Sequence, residues 1–380
     1  MGNRVAGPRG VGKEIRLLAE EVAFVGVDVH KKTYTVSVWT ERRGRVARWT
    51  QPADAAVLCR RLEGVRGQVA QVVYEAGPTG FGLVRALWRE GFPAEVVAPS
   101  QVPTTAAGSD KSDGRDADDL AFFSGKGMLR GLYVPSVEEE ADRQVERRRD
   151  QVRGDVGRAK RRIKSFLLQY GLAEPAGLEH WSTAAVEELR RQVLGPELRF
   201  CLDSLLRDYD HAREEFLACE KAMAELARSE RRRRDVAAMR QVPGVGVVTA
   251  LTHALELPRP ERFTRGEEVA SSLGLAPRTS RSGSTSKGGP IRKAGNRRLR
   301  RILVEAAWQW VRLDPRGKAL YRHLLQCTGT AQKAIVGVAR HLGILLWRLR
   351  VTGERYVPGV PPGEEAAALE GKKEAPACGP

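Results

Sequence analysis

Four acidic residues in the first third of the chain stand where carboxylates could do chemistry together. Asp28 closes an apolar run at 22–28, and Glu75 follows directly on the β-branched run 69–74. Asp113 and Asp116 are three apart at the start of a helix expected over about 114–123, so they share a face. If the runs ending in Asp28 and Glu75 are neighbouring strands, both acids emerge at the same sheet edge. Converging carboxylates repel one another and do not all stay ionised without cations between them. Hard oxygen ligands with open, water-filled positions suit Mg2+ or Mn2+. Two such ions can stabilise the attacking and leaving oxygens of a phosphoryl transfer. Taken singly, each acid also reads as a capping or surface residue, and Asp118 and Asp119 are left with that reading.

A second group is built on hydroxyls and cations. Residues 279–289 are rich in Ser, Gly and Lys and contain Ser280, Ser282 and Ser284. By composition this is a flexible, basic, substrate-binding loop. A serine there becomes a nucleophile only with activation by a base or a metal. From Lys287 to Arg301 there are seven Lys or Arg and no acid. Lys287, Arg292, Lys293, Arg297, Arg298 and Arg301 are therefore candidate phosphate contacts. Between Arg143 and Lys164 lie ten Lys or Arg and three acids, and Arg148 and Arg161 there could meet a structured RNA or a duplex. The segment Val242-Pro243-Gly244-Val245-Gly246 reads equally well as a helix-hairpin-helix turn offering backbone N–H groups to phosphate and as a tight interhelical turn.

The whole chain leans the same way. It has 380 residues and a formal net charge of +17, an excess that favours polyanionic partners. Five scattered cysteines, Cys59, Cys201, Cys219, Cys327 and Cys378, show no metal-ligand spacing and suggest no disulfide framework. No apolar run approaches the ~18 residues of a membrane span, and the N-terminus lacks a signal-peptide pattern. A reducing cytosol fits this cysteine pattern, and a cytoplasmic protein is expected.

The elements that must position these residues fall into regions. Residues 1–21 read as a disordered extension. Over 22–135 the order is β-β-β-α-β-α-β-α, with strands at 22–28, 33–39, 46–49, 69–74 and 94–98, as in a ribonuclease-H-like α/β domain. Residues 136–240 hold two long polar helices, about 137–170 and 197–239, joined by a connector. Their narrow apolar faces favour a coiled coil or an extended helical hairpin. Residues 241–352 are mainly α. A helix from Asn296 to about 313 carries Leu299, Ile302, Leu303, Ala306, Ala307 and Trp310 as its apolar stripe, and a last helix covers about 331–350. A tail at 353–380 is expected to be disordered.

Four segments of the N-terminal region, Val25-Gly26-Val27-Asp28-Val29-His30-Lys31, Tyr74-Glu75-Ala76-Gly77, Val97-Ala98-Pro99-Ser100 and Lys111-Ser112-Asp113-Gly114-Arg115-Asp116-Ala117, resemble in order and spacing the DEDD transposases of bacterial insertion sequences. This is the IS110 (IS-one-ten) family, to which the Piv DNA invertases are related. Gly274-Leu275-Ala276-Pro277, Ser282-Gly283 and Lys293-Ala294-Gly295-Asn296 resemble that family's C-terminal domain. The resemblance runs from about Ala23 to Arg350. It implies a RuvC-like catalytic domain, a long coiled-coil linker and a small, mainly α transposase domain. It further implies a tetrad on Asp28, Glu75, Asp113 and Asp116 holding Mg2+ or Mn2+, and a serine nucleophile best matched by Ser282, with Ser280 and Ser284 close by. Partners implied are DNA (element ends and target), a structured guide RNA and further copies of the chain in a dimer or tetramer. A structure-specific nuclease of the Holliday-junction type, using water, is the alternative. An actin-like kinase would need phosphate and adenosine motifs that are not found.

Overall fold

The computed structural model describes residues 15–103, 113–282, 285–291 and 295–359, with Asp113, 278–282 and 285–290 described by their backbone alone. It divides into two compact units, Met1–Val134 and Pro135–Pro380.

The first unit is built on strands β1 (Ala23–Val29), β2 (Thr33–Thr40), β3 (Gly44–Pro52), β4 (Val69–Glu75) and β5 (Ala94–Val97), in the order β3-β2-β1-β4-β5. β1, β2 and β3 pair antiparallel, whereas β1–β4 and β4–β5 are parallel. Side chains alternate across a strand, and both faces are used. Val25, Val27, Val72, Tyr74 and Val96 enter one core cluster together with Leu58 and Leu62 of α1 (Ala55–Leu62) and Leu83, Val84 and Leu87 of α2 (Gly82–Arg89). Val73 and Val97 face the other way and pack with Leu120 of α3 (Asp113–Gly125). Asp54 caps α1, its side chain accepting from the Ala56 N–H at 2.7 Å.

Residues 15–21 do not behave as the extension the sequence suggests. Ile15 and Leu17 pack against the first core, Gln68 Nε2 donates to the carbonyls of Leu18 and Glu21, and Arg43 pairs with the buried Glu21 carboxylate at 2.5 Å. Residues 1–14 lie outside the described residues.

The second unit opens with α4 (Val137–Gln169), whose N-terminus is closed by a capping box between Ser136 and Glu139. It runs antiparallel to α6 (Pro196–Arg228), as Arg162–Asp208, Arg148–Glu215 and Arg149–Glu220 ion pairs show. The connector between them is not bare chain. It holds α5 (Thr183–Arg191), capped by Ser182, and buries Leu178, Val186 and Leu189 against the hairpin. The expected single helix over 197–239 is broken at Ser229, which takes an extended ψ, bonds its hydroxyl to the Leu226 carbonyl and starts α7 (Glu230–Arg240).

Beyond α7 come α8 (Val247–Glu256), α9 (Gly266–Ser272), a β6–β7 hairpin (Pro277–Ser282 and Thr285–Ile291), α10 (Arg297–Leu313), α11 (Pro315–Thr328) and α12 (Ala331–Thr352). The stripe on α10 is buried as its spacing requires, with Ile302 only partly covered. Three features differ from the sequence reading. Residues 279–282 and 285–289, read as a loop from the sequence, pair as two antiparallel strands. α11 lies where no element was assigned, although Asp314 as cap, Pro315 in the first turn and Gly329 at φ +63° are start and stop signals. The tail is also ordered further than expected: Tyr356 is buried and donates from its hydroxyl to Asp314 Oδ2 at 2.8 Å. Residues 360–380 lie outside the described residues. Among the described residues no helix is long and apolar enough to cross a membrane.

Gly244 fits the tight-turn reading of 242–246. Its φ is +86°, and a Cβ there would stand 2.8 Å from Trp310 N and Gln309 Cβ of α10. Together with buried Val242 and Val245, this makes the segment a tight packing turn between α7 and α8.

Candidate functional site

Strand parity and register place the acidic residues. Asp28 is two residues beyond Gly26, on the face that α3 covers. Glu75 is two beyond Val73, on the same face. The parallel register matches Val27 with Tyr74, so the next residues along the two strands, Asp28 and Glu75, stand at neighbouring strand ends. α3 crosses β1 very closely: a Cβ on Gly26 would lie 2.1 Å from the Ala117 carbonyl oxygen and 2.5 Å from the Ala121 N. Farther back along the strand, Phe24 faces Gly125. The helix therefore runs opposite to β1, and its first turn, with Asp113 and Asp116, lies toward the ends that carry Asp28 and Glu75.

Local contacts distinguish these acids from their neighbours. The Asp28 side chain is 19% exposed, and His30 Nε2 lies 3.0 Å from its Oδ2. Sequence reading gave His30 no role; its place two residues after Asp28, at the turn into β2, is the signal. Asp118 does structural work, accepting from Ser37 Oγ at 2.6 Å and pairing with Arg45 at 2.7 Å and Arg48 at 3.0 Å. Asp116 is half-buried, and the Asp113 side chain lies outside the described residues. Among the described residues no three His, Cys, Asp or Glu side chains are gathered as a metal-holding group. The donor set nevertheless fits a hard divalent cation in kind, being carboxylate oxygens on adjacent strand ends and the helix above them.

In the second unit, Ser282 is the last residue of β6, paired with Thr285 across the outer end of the hairpin. Its side chain and that of Lys287 lie outside the described residues, as do Arg292 and Lys293 entirely. Of the remaining basic candidates all but half-buried Arg298 are exposed, Arg161 and Arg297 with no salt bridge among the described residues. The others are engaged. Arg148 pairs with Glu215 at 3.3 Å. Arg298 pairs with Asp150 at 3.0 Å and approaches Glu146 and Glu256 at 3.4 and 3.9 Å, and Arg301 also pairs with Asp150. The balancing acids that seemed missing come from partner helices.

Glu146 of α4 sits in this network almost wholly buried. Burial pushes its carboxyl up to about 7, against the pull of Arg298 and with help from the charges of Glu256 and Asp150. A carboxyl raised in the folded state holds its proton there while the unfolded chain has lost it. Stability therefore falls as pH rises from about 4.5 to 7 and levels off above. The fall is expected to be on the order of 2 kcal/mol, and Glu146→Gln should remove it, as urea unfolding at pH 5 and pH 8 would read.

Comparison with known proteins shows the family. A DEDD-type IS110 transposase model matches residues 25–172, and the model of the transposase IS116/IS110/IS902 family matches 236–322. The protein y4qE of Sinorhizobium fredii, named a transposase, is 32% identical over 307 residues, which is 79% of this chain and 75% of that protein. The chain belongs to the IS110 family of transposases. The transposase for insertion sequence element IS1533 of Leptospira borgpetersenii is 29% identical over 75% of this chain and 84% of its own length. The transposase for insertion sequence element IS1111A of Coxiella burnetii is 23% identical over 90% and 94%. As an IS110 transposase the chain is an enzyme of DNA transposition. All four acids of the candidate set fall in the first matched segment, and Ser282 in the second.

Proposed function

We propose that this transposase cuts and rejoins DNA strands with a metal-holding tetrad, Asp28, Glu75, Asp113 and Asp116, and with Ser282 as nucleophile. The observation that carries the reading is the pairing of β1 with β4. It brings two acids from separate apolar runs to the same end and face of one sheet, under the helix that bears the other two. The sheet order, antiparallel over β1–β3 and parallel over β4 and β5, supports a ribonuclease-H-like, RuvC-like domain. The α4–α6 hairpin is then the coiled-coil region between that domain and the serine domain.

A divalent ion, Mg2+ or Mn2+, held by the tetrad would supply electrostatic stabilisation of the oxygens that gain and lose bonds to phosphorus. The chain's own step is displacement at phosphorus. The Ser282 Oγ–P bond forms as the bond from phosphorus to a deoxyribose oxygen breaks. The serine proton is given up, and the released oxygen becomes a hydroxyl. The phosphoserine ester keeps the energy of the broken linkage, so the reverse attack by a new hydroxyl rejoins strands without ATP. Lys287, Arg292 and Lys293 follow the serine in the sequence, and Arg161 and Arg297 add exposed positive charge. That surface suits DNA ends and a structured guide RNA. Exchange of strands needs several cuts in one assembly, hence a dimer or tetramer.

The test is incubation with Mg2+, element-end DNA and RNA transcribed from the element's flanks, resolved on a denaturing gel with and without protease. Wild type should give a protease-sensitive adduct that Glu75→Ala and Ser282→Ala both lose. Normal cutting by Ser282→Ala without an adduct would mean that water is the nucleophile and the serine reading is wrong.

A further inference from the structure

The hairpin that ends in Ser282 is rooted at both strands. On the β6 side, the Leu275 and Ala276 N–H groups donate to the Ala270 carbonyl of α9 at 2.9 and 3.1 Å. On the other side, beyond β7, the chain returns through Gly295 and Asn296. Gly295 has φ +109°, and a Cβ there would lie 2.6 Å from Gly274 N and 2.8 Å from the Ser272 carbonyl oxygen. The Asn296 N–H donates to that same Ser272 carbonyl at 3.1 Å.

The Asn296 side chain makes two bonds of different kinds. Its Oδ1 accepts from the Leu299 N–H at 3.0 Å and caps α10. Asp, Ser or Thr would do this as well. Its Nδ2 donates to Glu256 Oε2, at the end of α8, at 2.6 Å. The Glu256 side chain is only 8% exposed. A hydrogen bond to a nearly buried carboxylate is of the strong, charge-assisted kind. Capping alone does not call for an amide; this second bond does.

We infer that Asn296 is a positioning residue for the Ser282 hairpin, acting through Glu256 of α8. The inference rests on the serine reading for its consequence in catalysis, but the latch itself is a property of the fold. With Gly295 pressed on α9 and Asn296 tied to α8, the return strand is fixed at its base, and the outer end holding Ser282 inherits that placement.

The direction of the bond gives the test. Asn296→Asp keeps the α10 cap but sets a carboxylate against the Glu256 carboxylate. Glu256→Gln keeps an oxygen that can accept from Asn296. The double variant Asn296→Asp/Glu256→Gln restores the bond with donor and acceptor exchanged. Backbone amide hydrogen exchange of the full-length protein would be followed in peptides covering 277–282 and 285–291, with α10 as internal reference, alongside adduct formation.

Asn296→Asp should speed hairpin exchange by about tenfold or more while α10 is unchanged. Glu256→Gln and the double variant should stay within about threefold of wild type. Adduct formation should fall and recover in the same order, with DNA binding unaltered. Wild-type hairpin exchange in Asn296→Asp would overturn the inference. So would failure of the double variant to restore protection, including the case in which Asn296→Asp alone unfolds the unit. If wild type forms no adduct through Ser282, the serine reading fails, and the exchange result still decides the latch.

Discussion

Asp28→Asn is expected to lower strand cleavage by at least about a thousandfold and to leave the protein as stable as wild type or slightly more so. Asparagine keeps the size of the side chain and a carbonyl oxygen for His30, which stands 3.0 Å away. What it loses is charge. In the ligand role that charge is the function, since a neutral amide is a poor ligand for a hard divalent ion. In the folded protein without such an ion, removing a negative charge at the strand end beside that of Glu75 relieves repulsion. Asp118→Asn is the control. Asp118 holds Ser37, Arg45 and Arg48, so its loss should weaken the fold and change cleavage by less than about tenfold. Initial cleavage rates and urea midpoints of the two variants separate the roles. Equal losses of cleavage in both would place Asp28 among the structural acids.

Gly26→Ala should cost about 3 kcal/mol or more, a large effect for one methyl group. The added carbon would meet the Ala117 carbonyl oxygen at 2.1 Å and the Ala121 N at 2.5 Å, and both are backbone atoms that no rotamer change can move. α3 must retreat from β1. Leu120 then withdraws from Val73 and Val97, its partners in that face's core, and the helix turn bearing Asp116 moves relative to Asp28. Cleavage should fall along with stability, unlike the pattern for Asp28→Asn. A urea unfolding curve within about 1 kcal/mol of wild type would show that strand and helix have slack at this crossing.

The first unit was legible because its signals are local. An apolar run ending on Asp28 and a β-branched run ending on Glu75 each announce a strand and the position of its acid, and short helices between them fix the alternation. What the sequence did not disclose depends on residues far apart. The acids that hold Arg298 and Arg301 lie on α4, about 150 positions earlier, so a run of arginines read as bare charge is partly neutralised. Asn296 pairs with Glu256 across an intervening helix and hairpin, and no periodicity marks such a pair. The hairpin at 277–291 was read as a loop because Thr, Ser, Gly and Lys carry little of the apolar alternation by which strands are recognised. α11 was missed for another reason. Its cap, proline and closing glycine are all present, and Leu320, Tyr321, Leu324 and Leu325 have helical spacing, but of these four only Leu320 is fully buried.

The serine linkage is read by trapping the reaction on element-end DNA, digesting protein and DNA, and locating the nucleotide-bearing peptide by mass spectrometry. A nucleotide esterified to Ser282 is expected, present with Mg2+ or Mn2+ and absent in Asp28→Asn. Efficient cleavage with no modified peptide, or modification at a residue outside the β6–β7 hairpin, would contradict it.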